Sequence, residues 1–247
     1  MDKNEFNSIE KLYHYTKFDT AIEILLSKSL RFGVLSEMND INESDRSVFC
    51  EQGLEFLSKD VIEALKTYQQ LSLTSDLGKN AGYNIPAMWA HYAERGNGVC
   101  LVFDKQKILS CLDDQFWYGN VVYDAEHSNH IILNENDVHA FLKKNKQDLF
   151  FTKTKDWEYE QEFRIIKGGN SEDKFHLQYN DSLLAVIMRP TKDTNDFFNS
   201  QRVKSINEIT DEVVVLEYAS FLGTISLKDC FGSDWLSNGF DNIDLDL

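Results

Sequence analysis

Only two prolines, Pro86 and Pro190, occur among the 247 residues, and no stretch is rich in proline or in glycine with serine. A flexible or extended linker needs one or the other, so no interdomain hinge is legible and a single domain over residues 1–247 is expected. Cysteine is also sparse. Cys50, Cys100, Cys111 and Cys230 stand apart with no C-x-x-C spacing, which argues against a zinc knuckle or a redox pair. No run reaches the roughly 18 apolar residues of a bilayer-crossing helix, and the opening MDKNEFNSIEK has no apolar signal region. A reduced, cytoplasmic protein with no membrane partner is therefore expected. Basic residues are short too, 25 Lys and Arg against 41 Asp and Glu, for a formal charge of −16. A field of that sign opposes phosphate backbones, so nucleic acid is not an expected partner. The basic run Lys143, Lys144 and Lys146 reads as a solvated helix face.

Hydrophobic residues make up 42% of the chain and aromatics 13%, enough to bury a substantial core. KLYHYT (11–16) reads as a strand, and Ala21, Ile22, Leu25 and Leu26 at helical spacing predict a helix over 18–29. LRFGVL (30–35) returns to an extended pattern. Leu54, Leu57, Val61, Leu65 and Tyr68 predict an amphipathic helix over 51–70, followed by the strand LSLTS (71–75). PAMWAHYA (86–93) reads as a helix broken by Gly96 and Gly98, and VCLVF (99–103) as a buried strand. Strands are expected over 116–124, 183–189 and 213–218, with a weaker one over 175–179, and a helix over 138–152. Strands and helices in this mixed order, with the helices clustered in the first two thirds, predict an α+β fold of mixed, mostly antiparallel sheets.

The segment KDWEYEQEFRII (155–166) places acids at Asp156, Glu158, Glu160 and Glu162. A helix would stack Glu158 on Glu162 and scatter the apolar residues, so a strand is expected. Its acids and Arg164 would share one face, spaced about 7 Å apart, with Trp157, Tyr159, Phe163 and Ile165 on the other. Exposed acids of this kind discourage edge pairing, which accounts for Asp156 and Glu158. Arg164 beside Glu162 predicts an enclosed ion pair that holds a carboxylate oriented and charged. Such a group stabilises positive charge developing at a sugar carbon when a glycosidic or N-glycosidic bond breaks.

Other segments supply polar groups or exclude chemistry. His14 and Thr16 share a face of the first strand, as Ser72 and Thr74 do in LSLTS. Asn39, Asp40, Asn42 and Glu43 in MNDINES suit a helix cap or a cleft lining. A calcium loop starting at Asp40 fails, because Asp45 stands where the sharp turn needs glycine. Trp89 and Tyr92, at i and i+3, fit either the core or a stacking platform. His127, His130 and His139 lack partner ligands, so no metal is expected, and no P-loop, dinucleotide fingerprint, H-E-x-x-H or G-x-S-x-G motif occurs.

Taken in order, YHYT, F-G-x-L-x-x-M-N-D-x-x-E, MWAHYA with G-V-x-L-x-F, and K-x-x-x-W-x-x-E-x-E-F-R-I-I resemble a large bacterial family classed only as a domain of unknown function. The core motifs span residues 11–166. More distantly, the order resembles the ADP-ribosyltransferase superfamily, with its first-strand His or Arg, Ser/Thr strand and final E-x-E. That resemblance implies an ADP-ribosyltransferase-like fold and NAD as substrate, without metal. It makes Glu162 the catalytic glutamate, places Glu160 where an acceptor is positioned, and sets His14 against the ribose and amide. Tyr15, Thr16, Ser72, Thr74, Tyr92 and Arg164 would then bind the cofactor, and a protein or small molecule would accept ADP-ribose. The Ser/Thr strand reads S-L-T-S rather than S-T-S, and either Tyr83 or Tyr92 could be the stacking tyrosine.

Two other functions stay open on the residues. One is a hydrolase with Glu160 and Glu162 as acid and base. The other is a non-catalytic binding or regulatory module, for instance of a defence or toxin-like system, in which the acidic row serves a partner surface or the fold.

Overall fold

A computed structural model describes residues 3–35, 38, 47–50, 57–77, 81–124, 130–133, 137–168, 174–190, 200–210, 214–221, 224–228 and 234–238. Asn39, Asp40, Asn42 and Glu43 lie outside them. In chain order the strands are β1 (Lys11–Thr16), β2 (Ser29–Arg31), β3 (Gly33–Val34), β4 (Ser47–Cys50), β5 (Gln69–Ser75), β6 (Val99–Asp104), β7 (Phe116–Asn120) and β8 (Val122–Asp124). They continue with β9 (His130–Leu133), β10 (Thr152–Thr154), β11 (Glu162–Lys167), β12 (His176–Gln178), β13 (Leu183–Met188), β14 (Val214–Phe221), β15 (Thr224–Lys228) and β16 (Asp234–Asn238). The helices are α1 (Lys3–Ser8), α2 (Phe18–Ser27), α3 (Ser58–Lys66), α4 (Pro86–His91), α5 (Lys105–Ser110), α6 (Val138–Lys144), α7 (Lys146–Phe150) and α8 (Gln201–Ile209). The class is α+β, as the mixed order of elements predicts. Among the described residues no helix is long and apolar enough to cross a membrane.

The chain divides into two compact units, each built from separated segments. The first comprises residues 1–29, 74–110 and 179–247. Its sheet runs β16-β15-β14-β13-β6-β1, and Tyr13 and Leu12 pair onward with Thr74 and Ser75. β6 is central. It pairs antiparallel with β1 from Lys11↔Asp104 to Thr16↔Val99 and with β13 on its other side, and Val99 to Phe103 are all fully buried. Burial on both faces is why this strand reads as an unbroken apolar run. β13 and β14 are parallel, and α8 lies in the crossover between them.

The second unit comprises residues 30–73 and 111–178. The first residues of β5 pair with β3, and β11 lies next to β5, followed by antiparallel β7. Two parallel pairs, β8 with β10 and β4 with β9, also belong to it, and β12 pairs with β2. Val61, Leu65, Tyr68, Phe141, Leu142, Leu149, Phe150 and Ile166 form its core.

Four expected elements differ in extent. The helix predicted over 51–70 is α3, Ser58–Lys66, within the described residues, and β5 begins at Gln69. Gln69 and Gln70 are drawn into the strand by pairing with Val34 and Gly33, which outweighs the helical spacing of Tyr68. The helix predicted over 138–152 breaks at Asn145, whose side-chain amide donates to the Phe141 carbonyl at 2.9 Å. The strand predicted over 116–124 breaks after Val121: its N–H still donates to the Glu162 carbonyl at 2.9 Å, in register with β11, whereas the next N–H, of Val122, turns to the Phe151 carbonyl at 2.8 Å beside β10. The single strand over 156–166 is not formed: Lys155–Glu160 is a 3-10 turn and β11 begins at Glu162.

Candidate functional site

The acidic segment is divided at Gln161, which adopts a left-handed conformation (φ 47°, ψ 46°) between the 3-10 turn and β11. A strand cannot pass through such a residue, so the four acids do not share one face. Asp156 and Glu158 are exposed on the turn, whereas Glu160 and Glu162 are each only 4% exposed. Two buried carboxylates need cations, and tertiary structure supplies two. Lys153, on β10, donates to Glu160 Oε2 at 2.8 Å and lies 3.0 Å from Glu162 Oε2. Arg164, fully buried two residues along β11, grips Glu162 with Nε to Oε1 at 2.7 Å and Nη2 to Oε2 at 2.8 Å. Nη1 of Arg164 donates to the Phe150 carbonyl at 2.7 Å, which fixes the guanidinium plane. Two carboxylates and two cations balance in charge. Coiling the chain at 155–160 lets Glu160 reach Lys153, while a straight strand would have aligned repelling acids.

Glu162 is also bonded from β5. Gln70 Nε2 donates to Ser72 Oγ at 2.8 Å and approaches Glu162 Oε1 at 3.4 Å, and the Ser72 hydroxyl is hydrogen-bonded to the same carboxylate. Ser72 is exposed, so the buried carboxylate is joined to a hydroxyl that solvent reaches. Gln70 Oε1 is buried and has no hydrogen-bond partner among the described residues. Burial alone would raise the Glu162 pKa, but Arg164 and then Lys153 outweigh it, with hydrogen bonds from Arg164 and Ser72, and hold it at about 2. Burial pushes the Tyr123 phenol up, and its oxygen accepts the Glu162 N–H at 2.8 Å.

Residues 88–165 match the model of a family described as a protein of unknown function (DUF2971). The matched stretch reaches from α4 through Lys153, Glu160 and Glu162 to Arg164, so it takes in all four charges of the buried cluster. The family's description carries no chemistry. No curated protein and no solved structure matches the chain.

The other sequence-predicted residues lie in both units. Ser72 belongs to the second, whereas His14, Tyr15, Thr16, Thr74 and Tyr92 belong to the first. His14 is half-buried opposite Leu101 of β6, and Thr16 and Thr74 are buried. Tyr15 donates its hydroxyl to the Gly82 carbonyl at 2.6 Å and sets its ring edge-on to Trp89 at 5.2 Å. Trp89, 1% exposed, donates its indole N–H to the Tyr83 carbonyl and stacks on Tyr218. Trp89 is thus a core residue of the first unit, while Tyr92 is half-buried at the end of α4 beside His91. Among the described residues no group of three or more His, Cys, Asp or Glu is placed to hold a metal ion.

Sequence reasoning missed Lys153, Gln70 and Tyr123. Lys153 had a signal: it is the lysine of K-x-x-x-W, a cation in FFTKT between the buried Phe150 and the half-buried Trp157. Its ammonium lies 5.1 Å from the Trp157 ring centre, which further stabilises a desolvated cation.

Proposed function

We propose that the protein cleaves the N-glycosidic bond of NAD, in the manner of the ADP-ribosyltransferases that its sequence resembles. The supporting observation is a carboxylate held ionised at about 2 by Arg164 and Lys153, and hydrogen-bonded to the exposed Ser72 hydroxyl. Bond cleavage sends the electron pair out with nicotinamide and leaves positive charge on the ribose carbon, which an oriented anion stabilises. A protein or small-molecule acceptor, or water, then bonds to that carbon and releases a proton. The unpartnered Gln70 Oε1 beside Glu162 also suits the hydroxyl donors of a ribose.

Nicotinamide release from NAD by the wild-type protein, beside Ser72→Ala and Glu162→Gln, tests the proposal. Release is expected to fall about 100-fold or more in Glu162→Gln, as when a preorganised charge-stabilising group is lost. Ser72→Ala should fall by a smaller factor and cost less stability than Glu162→Gln, because it removes hydrogen bonds and no charge. Folded wild-type protein that releases no nicotinamide would remove NAD cleavage from consideration.

A non-catalytic module is the second reading, favoured by the engagement of both Glu162 oxygens with Arg164 in a charge-balanced cluster. In that case Glu162→Gln lowers stability and leaves no NAD-dependent effect. The Glu160/Glu162 acid–base pair draws less support. Such a pair needs a substrate bond between its members, and the Lys153 ammonium stands there instead, 2.8 Å from Glu160 Oε2 and 3.0 Å from Glu162 Oε2.

A further inference from the structure

A concavity of about 650 Å³ opens within the second unit and includes none of the four charged residues of the buried cluster in its lining. Its size lies in the range of small-molecule sites. Tyr68 and Trp117 form its aromatic wall, stacked with ring centres 5.6 Å apart, and both pack on Phe150. Trp117 stays half-exposed, which leaves indole surface on which a planar ring can stack. Glycine is required at 168 on the lining, because a Cβ there would stand 2.9 Å from the Tyr68 ring.

Charge divides the rim. His139 and Lys143 are four residues apart on α6 and therefore share a face, and both line the cavity. The Asp137 side chain caps this helix by accepting the Ala140 N–H at 3.0 Å, which fixes the end that carries His139. Asp114 and Gln115 line the cavity from the segment before β7. The basic run of the sequence thus contributes Lys143 to a cleft with an aromatic wall, a cation for an anion and a carboxylate for a ring-edge donor.

We propose that this cleft binds a planar heteroaromatic ligand with an anionic group, of the class of a free nucleoside monophosphate. Its base would stack on Trp117, its phosphate would meet Lys143, and its amine edge would face Asp114. The chain's charge of −16 favours a free mononucleotide over a polynucleotide. The site is separate from the Glu162 carboxylate and does not depend on NAD cleavage.

Calorimetric titration of the full chain with adenosine 5′-monophosphate, beside adenosine, tests it in wild type, Lys143→Glu and Glu162→Gln. Lys143 is exposed, so its substitution leaves the fold intact. Expected are saturable binding of the monophosphate, a loss of about tenfold or more without the phosphate, and a similar loss in Lys143→Glu. Folded Glu162→Gln should retain wild-type affinity. No binding at millimolar monophosphate, or equal affinity in Lys143→Glu, overturns the proposal. Binding lost only in folded Glu162→Gln would assign the ligand to the carboxylate site and overturn it too.

Discussion

Replacing Glu162 by Gln removes one charge from a buried set of four and leaves Lys153 and Arg164 facing Glu160 alone. The cost follows from the titration of the carboxyl. Its pKa is held at about 2 against an ordinary 4.5, and at about 1.4 kcal/mol per unit this is on the order of 3 kcal/mol. Loss of one partner from a buried ion pair, which costs about 3–5 kcal/mol, leads to the same size of effect. Because the folded pKa lies below the unfolded one, the folded state binds fewer protons. The stabilisation is therefore complete above about pH 4.5 and is lost as pH falls towards about 2. Urea unfolding of wild type and variant should differ by about 3 kcal/mol at pH 7, with more than half of that gap gone by about pH 3. A variant within about 1 kcal/mol of wild type at pH 7, or a gap equal at both pH values, would refute an ionised, cation-held Glu162.

Arg164→Lys keeps the charge but loses the two-pronged grip on Glu162 and the bond to the Phe150 carbonyl, so a loss of about 2 kcal/mol or more by urea unfolding is expected. Gly98→Ala would set a Cβ 2.2 Å from the Thr16 carbonyl oxygen and 2.8 Å from the Ala93 backbone. Neither backbone can yield cheaply, and a loss of stability on the order of 1–3 kcal/mol is expected, read as a lower Tm. Lys28 ends α2 in the left-handed region (φ 52°, ψ 34°) with an exposed side chain, so Lys28→Gly should raise stability by up to about 1 kcal/mol, read as a higher Tm.

Strands buried on both faces or alternating in polarity were legible in the sequence, as β1, β6 and β13 illustrate. The Glu162 and Arg164 pair was legible for the same reason, since residues two apart on a strand share a face. What lay beyond reach depends on distant partners. The 3-10 turn at 155–160 exists because Glu160 reaches Lys153, and Lys153 stands on a strand paired with β8, not on the acidic segment. Gln161 carries no local mark of its left-handed backbone, a conformation more common in glycine and asparagine. α8 was missed because Val203 and Ile206 are its only buried apolar positions, too few for a period to stand out. In the first unit, Tyr15 and Trp89 were readable as aromatic but not as partners, because their contact joins β1 to α4 across a long stretch of chain.

The nesting of one unit within the other's sequence bears on the order in which the chain acquires structure during synthesis. The second unit is complete in sequence once residue 178 has been made, while the first still lacks everything from residue 179 onward. β6 emerges long before β13, and until then one edge of a strand that is apolar from Val99 to Phe103 has no ladder partner from that side. An unpaired edge of this kind invites other chains, so the interval between residues 104 and 183 is when a nascent molecule is most open to aggregation. A translational pause in that interval would lengthen the exposure, whereas a pause after residue 188 would give β13 time to close it.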